Sequence, residues 1–327
     1  MCRTCHASKT DIQRKYLEGQ FQKRNAADHL EKVTLMEGLS KAGFKYWSKQ
    51  WGINLRSPLL EIEDIDLSVC LVQDPMHILT EGLLVKELCL MLYDFIVFKR
   101  YFTISFLNNA LNDFSHSYLV EKNKPEVISV DMLLNCRLNQ TSASMITLCC
   151  VLPLVIGQKV QVGNGKWKTF LLLIQITLLA TSPYATDDTA SVLEQLIYTH
   201  NDNFISEYTK SPLTPKSHYL VHIPKQIQRF GPGRNHWVMR FEGKHLFFKN
   251  IKWKCFKNIA LSMSMRHQLW MCWRQLRVNG KCSENFLYSG DSIANMEAVD
   301  SPLSLSGEGL FKDIKLACVF FVYCKRS

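Results

Sequence analysis

The stretch LTEGLLVKELCLMLYDFIVFK, Leu79–Lys99, decides the fold class. Its apolar residues recur at helical spacing, and the same pattern extends back to Leu59. Thr80 is a candidate N-cap, and we expect Glu81 and Glu87 to lie on the polar face of this helix. The pattern therefore predicts one long, largely buried helix.

Helical spacing also dominates on both sides of this stretch, whereas the period-two alternation typical of strands is weak throughout. We therefore predict a mainly α-helical protein. The further predicted helices are Ala26–Lys49, Phe106–Phe114, Val130–Leu138, the apolar run Met145–Ile156, Trp167–Leu179 and Asp187–Thr209.

Two apolar runs, Met145–Ile156 and Phe170–Thr181, raise the question of a membrane. Each is about 12 residues long, against the roughly 20 that a helix needs to cross a bilayer. Polar residues separate the two runs. The pattern favours two buried helices and no membrane partner, and a membrane-associated protein is the weaker alternative.

The composition excludes a disordered chain, because 47% of the 327 residues are hydrophobic. Lysine and arginine outnumber the acids by 39 to 29, which gives a formal net charge of +10. Such a charge suits a polyanionic partner such as DNA, and the alternative is a merely soluble basic protein.

The cysteine content and the first residues indicate the compartment. Twelve cysteines are too few for a disulfide scaffold of this length. The opening MCRTCHASKTDIQRK has no apolar core of the kind found in a secretory signal. We expect a nuclear or other reducing intracellular location.

Changes of composition divide the chain into four predicted segments. Residues 1–52 contain a Cys-x-x-Cys pair, and residues 53–210 carry most of the predicted helices. Residues 211–278 are rich in histidine and basic side chains. Residues 279–327 are mostly small and polar, and we expect a loosely ordered tail there.

Two short motifs in the first half have the spacing of metal ligands. Cys2 and Cys5 can bind one zinc ion, which needs two further ligands; the alternative is a pair of unligated surface thiols. Asp74 and His77 are three residues apart, so both could bind a metal, or the carboxylate could orient the imidazole. An N-capping aspartate beside an unrelated histidine is the plain alternative. The candidates for the two missing zinc ligands are His6, His29 and His77.

The stretch TPKSHYLVHIPKQIQRFGPGRNHWVMRFEGKHLFF, Thr214–Phe248, has the highest density of histidine and basic residues. His218 and His222 are four residues apart, a spacing that some zinc sites use, but no glutamate of a metalloprotease motif accompanies them. Pro224 limits any helix before it to a turn or two. The pattern favours two buried, hydrogen-bonded histidines.

Glu242 is the one carboxylate of this stretch, and it is a candidate catalytic residue. An ordinary surface pair with Arg240 or Lys244 is the alternative. Basic residues interleaved with aromatic ones continue beyond it and could contact a phosphate backbone without reading bases, or simply form a solvated helix face. The candidate DNA contacts are Arg240, Lys244, Lys249, Lys252 and Lys254.

In their order along the chain, CRTC, DPMHILTEG, PKSHYLVHIP, RFGP and MRFEGKH resemble motifs of the CACTA-type (En/Spm-like) cut-and-paste DNA transposases. The resemblance runs from Cys2 to Trp273. It implies the helical insertion and the C-terminal part of an RNase H-like core, incomplete at the N-terminus. It also implies a structural zinc site around Cys2 and Cys5, the family's (C/D)xxH element at Asp74 and His77, and Glu242 as the last of three metal-binding acids.

The other two acids of that family precede the Cys-x-x-Cys element, and here the sequence starts one residue before Cys2. Asp64 and Asp66 follow that element and are in the wrong order to replace them. We therefore expect the remnant of a transposase, inactive as the chain stands, with Mg²⁺ or Mn²⁺ bound only if the missing acids lie upstream. The alternative is a non-catalytic DNA- or protein-binding protein of transposon origin.

Overall fold

The computed structural model describes residues 2–14, 17–63, 66–115, 121–249, 258–275, 277–278 and 281–282. The chain divides into two compact units, Met1–Asn250 and Ile251–Ser327. The described residues are mainly α-helical, which confirms the predicted fold class. The predicted DNA contacts Lys252 and Lys254 lie outside the described residues, as does nearly all of the predicted tail 279–327.

The first unit contains thirteen helices among its described residues, and the second contains one helix and a two-stranded hairpin. In the hairpin, β1 (Arg277–Val278) runs antiparallel to β2 (Lys281–Cys282), with Arg277 opposite Cys282. The helices are α1 (Lys9–Arg14), α2 (Ala26–Glu37), α3 (Lys41–Trp51), α4 (Leu67–Cys70), α5 (Met76–Leu83, Leu84–Tyr93 and Asp94–Phe98 in one run), α6 (Ile104–Asp113), α7 (Val130–Leu134), α8 (Ser142–Ile156), α9 (Gly165–Ala180), α10 (Thr189–Glu207), α11 (Pro215–Leu220), α12 (Ile223–Phe230), α13 (Met239–Lys249) and α14 (Ile259–Gln275).

Helix α5 is the centre of the first unit, as its apolar spacing predicts. It packs against α7, α8 and α9, and its first turns pack against α11. Its first eight and last five residues have the i→i+5 hydrogen bonding of a π-helix, a feature often found near functional sites. Seven of its side chains are completely buried: Leu79, Leu84, Leu88, Cys89, Met91, Leu92 and Phe95.

Three expectations about this helix were wrong. It begins at Met76, and the described residues from Pro58 to that point form only the 3₁₀ turn Pro58–Glu61 and the four-residue helix α4. Thr80 lies inside the helix, where its hydroxyl donates to the Met76 carbonyl at 2.7 Å. Glu87 is 1% exposed, because its Oε2 pairs at 2.7 Å with Nε2 of His200, which is itself buried.

The predicted helix Ala26–Lys49 is two helices, because the chain turns between α2 and α3. Ser40 begins α3 by accepting a hydrogen bond from the backbone N–H of Gly43, and Gly52, with φ of 67°, ends it. A small apolar cluster separate from the main core holds the pair together. Its buried members are Val33, Met36 and Ile53.

Both predicted apolar runs form helices, α8 and α9. Among the described residues, Ser142–Lys159 is the one helix long and apolar enough to cross a membrane, with a mean hydropathy of 1.4. Buried core helices have the same length and composition, and α8 buries Leu148, Leu152 and Ile156 completely. The helix is therefore weak evidence for a membrane.

The chain after α12 lies close against α9. A Cβ at Gly233, in the turn Gly233–Asn235, would collide with the backbone carbonyl oxygen of Ala180 at the end of α9. Glycine at this point of the RFGPG sequence therefore permits a close backbone approach. The turn leads directly into α13, which carries Glu242.

Candidate metal centre

Four side chains from the two ends of the first unit meet in its interior: Cys2, Cys5, His218 and His222. Each of these residues is at most 2% exposed, and their ligand atoms all lie within 4.8 Å of one another. Cys5 Sγ is 3.2 Å from His218 Nε2, which is 3.3 Å from His222 Nε2. We call this group the metal centre, because two thiols and two imidazoles facing one point can together hold a metal ion.

The cysteine side of the metal centre is a short antiparallel pairing. Cys5 bridges Lys23, and the Arg24 N–H donates to the Thr4 carbonyl at 3.0 Å. The Arg24 side chain then donates from Nε to the carbonyls of Cys2 and Cys5, at 3.0 and 3.2 Å. This pairing fixes the loop that carries both thiols.

The histidine side is built around a break between two helices. Thr214 caps α11 and Pro215 occupies its first position, so His218 lies within the helix. His222 follows the end of α11 and directly precedes α12. The break predicted from Pro224 is present, and both imidazoles still turn Nε2 towards the thiols.

The surroundings of the metal centre favour a charged donor set. The backbone N–H of Thr4 and the side-chain amide of Gln73 donate to Cys2 Sγ, at 3.4 and 3.6 Å. A hydrogen bond from Cys5 holds the pKa of Cys2 far below its usual value, while the Cys2 thiolate and burial raise the pKa of Cys5. These directions favour Cys2 as a thiolate, the form in which cysteine binds a metal ion.

His222 also has a carboxylate on the side away from the thiols. Its Nδ1 is 3.7 Å from Oε1 of Glu18, a residue that is only 5% exposed. Burial alone would lower the pKa of His222, but the Cys2 thiolate and Glu18 outweigh it and raise that pKa. At this distance Glu18 acts on His222 as a nearby negative charge rather than as a hydrogen-bond acceptor.

Cys2 and Cys5 were predicted from the sequence as zinc ligands, but not together with His218 and His222. The three candidates for the remaining ligands lie elsewhere. His6 Nε2 is 3.4 Å from Asp28 Oδ2, and the pKa of His29 is lowered by burial. His77 belongs to a second cluster. The four-residue spacing of His218 and His222 was the available signal, but sequence alone does not pair segments more than 200 residues apart.

The second cluster, which we call the His77 site, consists of Asp74, His77, Glu81 and Glu242. Asp74 is its anchor, because its Oδ2 pairs with His77 Nδ1 at 2.5 Å and accepts the His77 backbone N–H at 3.0 Å. Its Oδ1 accepts the backbone N–H groups of Val238 and Met76, at 3.0 and 3.3 Å. Asp74 therefore orients the His77 imidazole and also caps the N-terminus of α5. Its contact with Val238 links α5 to the start of α13.

The other ring nitrogen of His77 faces two carboxylates. Its Nε2 is 3.3 Å from Glu242 Oε1 and 3.7 Å from Glu81 Oε2. The three side chains are 43 to 45% exposed. The hydrogen bond to Asp74 raises the pKa of His77, and the nearby carboxylates add to this effect. Protonated, His77 is an ion-pair partner for both acids; neutral, it joins them as a third donor for a divalent cation.

The basic residues predicted to contact DNA begin on α13. Arg240 and Lys249 are exposed, and Lys244 is half-buried with its ammonium 5.0 Å from the centre of the Phe247 ring. Arg240 lies two positions before Glu242 on the same helix. The described part of the predicted basic segment therefore adjoins the His77 site.

No family model, no curated protein and no solved structure matches this chain. The interpretation of both sites accordingly depends on their own residues and geometry.

Proposed function

We propose that this chain is a transposase-derived DNA-binding protein, related to the CACTA type, with a structural zinc ion at the metal centre. The helices would correspond to the helical insertion and the C-terminal part of an RNase H-like core. One observation carries the proposal: motifs far apart in sequence meet in pairs. CRTC meets PKSHYLVHIP at the metal centre, and DPMHILTEG meets MRFEGKH at the His77 site.

Zinc is the ion that the metal centre suits best. Zinc bonds of about 2.0 to 2.3 Å place tetrahedral ligands roughly 3.3 to 3.8 Å apart. The Cys5–His218 and His218–His222 separations of 3.2 and 3.3 Å are close to that range, and all four ligand atoms lie within 4.8 Å of one another. Four protein ligands leave no position for water or substrate, so the ion would stabilise the fold rather than take part in chemistry.

The His77 site suits a divalent cation at a phosphodiester. Glu242, Glu81 and the neutral His77 would hold it, and Asp74 would keep the imidazole in place. Such an ion supplies positive charge to phosphate oxygens. Two-metal cleavage uses three acids in a fixed geometry, and of the family's three this chain offers Glu242. We therefore propose binding of DNA without its cleavage by this chain alone.

Contact with DNA would be made through the backbone. The net charge of +10 and the basic residues on and after α13 favour a phosphate chain of any sequence. Contacts to phosphate carry no sequence information, so we propose sequence-independent binding.

Fluorescence anisotropy of a labelled duplex, measured from 50 to 200 mM salt, tests the function. We expect affinity to fall linearly with the logarithm of salt concentration, and Arg240→Gln with Lys249→Gln to reduce that slope by about 2. Glu242→Gln should bind at least as tightly, because it removes a negative charge near the phosphates. Incubation with Mg²⁺ or Mn²⁺ should give no cleavage products.

Two results would contradict the proposal. Absence of any duplex binding at 50 mM salt would exclude a DNA-binding function. Cleavage that depends on Glu242 would show that this chain is an active nuclease. It would contradict the proposal that the chain binds DNA without cleaving it.

A further inference from the structure

A basic pocket lies directly behind the metal centre, with which it shares His222. Its volume is about 150 Å³. With each water taking about 30 Å³, this is room for a phosphate group and some water. Its polar lining includes Glu18, Lys23, Arg24, Lys225, Gln226 and Arg229, together with the outer edge of His222.

The N-cap and one face of α12 supply part of this lining. His222, Lys225, Gln226 and Arg229 follow one another at intervals of three, one and three residues, so they share a helix face. The ring that faces the thiols through Nε2 therefore faces the pocket through Nδ1. His222 therefore belongs to both the metal centre and the pocket lining.

Positive charge exceeds negative charge in the pocket. Four lysine and arginine side chains line it, and Glu18 is the one carboxylate among its lining residues. Glu18 forms ion pairs with two ammonium groups, those of Lys225 at 2.8 Å and Lys23 at 3.6 Å. The proximity of Lys225, together with burial, lowers the pKa of Lys23. The pocket would therefore accept a further anion.

Two buried polar atoms of the lining also lack a close partner among the described residues. Gln226 is 7% exposed, and its Oε1 makes no hydrogen bond there. His222 Nδ1 is buried, and its nearest acceptor, Glu18, is at 3.7 Å, beyond hydrogen-bond length. Buried polar groups are rarely left unpaired, so the pocket has hydrogen-bonding capacity for a ligand. The Gln226 amide can turn either its oxygen or its NH₂ group towards one.

We propose that this pocket binds a phosphate group. Lys225 and Arg229 would bind its oxygens, His222 Nδ1–H and the Gln226 amide would add hydrogen bonds, and Glu18 would act as the internal anion that the phosphate displaces. The phosphate could belong to a nucleic-acid backbone or be free in solution. The first source rests on the function proposed above, whereas the phosphate site itself does not.

Isothermal titration of the full chain with inorganic phosphate tests the site. Lys225→Gln with Arg229→Gln should weaken binding at least about tenfold, because two charged hydrogen bonds are lost. Lys99→Gln with Lys210→Gln removes the same charge from exposed positions outside the pocket and should leave the affinity unchanged. Glu18→Gln should bind about tenfold more tightly, since the competing carboxylate is gone.

The gain in Glu18→Gln separates this site from mere loss of folding, because an unfolded variant cannot bind more tightly. Zinc content, measured for each variant, shows that the metal centre is intact. Equal phosphate affinity in all four proteins would overturn the proposal, and so would equal weakening by the pocket and control pairs.

A labelled duplex titrated into the same proteins identifies the source of the phosphate. If the Lys225 and Arg229 pair loses both phosphate and duplex, the pocket binds a nucleic-acid backbone. If it loses phosphate and retains duplex, the site takes free phosphate and DNA binds elsewhere. If no protein binds duplex while the pocket pair still loses phosphate, the pocket stands and the proposed function fails.

Discussion

The metal centre and the His77 site are built in the same way but differ in burial. Each joins segments far apart in sequence, 213 residues for Cys5 and His218 and 164 residues for Asp74 and Val238. The residues of the metal centre are at most 2% exposed, whereas His77, Glu81 and Glu242 are 43 to 45% exposed. Burial obliges the first group to keep its partners, because an unpaired buried thiolate is costly. Exposure would let the second group exchange its ion pairs for the divalent cation proposed above.

Loss of a ligand of the proposed zinc ion should have the largest effect and tests the first half of this comparison. Cys5→Ser or His218→Ala should cost at least about 4 kcal/mol of the free energy of unfolding, because a structural zinc ion stabilises the folded state strongly. For a unit of this size, that lowers the thermal midpoint by about 10 °C or more. Thermal unfolding followed by circular dichroism, with zinc measured on the same sample, checks it.

Cys70→Ser is the matched control, because Cys70 is an exposed free cysteine outside the metal centre. It should retain the wild-type midpoint. A natively purified, folded protein that contains no zinc and is indifferent to a chelator would show that the four ligands are held by packing alone.

The buried pair of Glu87 and His200 offers a further comparison with the metal centre. It is equally deeply buried, but it consists of two side chains instead of four. Both side chains are 2% exposed and lie 2.7 Å apart. Glu87→Leu should cost about 3 to 5 kcal/mol, because it leaves His200 buried without its partner. The double variant with His200→Leu should recover part of this loss. Urea unfolding of the two single variants and the double variant measures it; additive losses would mean that the pair is not coupled.

The smallest effect is expected at the His77 site, as a dependence on pH. Burial alone would raise the pKa of Asp74, but its hydrogen bonds to His77 and to backbone N–H groups lower it below the usual 3.8. Its contribution to stability is therefore present above about pH 3.8 and is lost as pH falls through the lowered pKa. The pKa of His77 is raised above 6.5, so its contribution is present below about pH 6.5 and is lost as pH rises through the raised pKa.

Wild type and His77→Ala should consequently differ most between those two values, by less than about 1 kcal/mol, because solvent screens the half-exposed pair. Urea unfolding across pH 3 to 9, without added divalent cation, gives the difference. A gap that grows above pH 8 would show that neutral His77, and not its charged form, supports the fold.

The sequence predicted the helices better than it predicted what they bury. The spacing in Leu79–Lys99 indicated the central helix, but not that Glu87 lies in the core, because the partner that makes this tolerable is on α10. The break before Pro224 followed from proline chemistry. The metal centre could be predicted from the sequence only in part. Both pairs of ligands have recognisable spacing, but only the fold brings the two pairs together.

The same geometry sets an order of events during synthesis. A ribosome that has made Cys2 and Cys5 must continue to residue 222 before their imidazole partners exist. At 5 to 20 residues per second, that interval is about 10 to 45 s. During this time the two thiols lack the imidazoles with which they would share an ion. The metal centre can therefore form only after the segment that carries His218 and His222 has been translated.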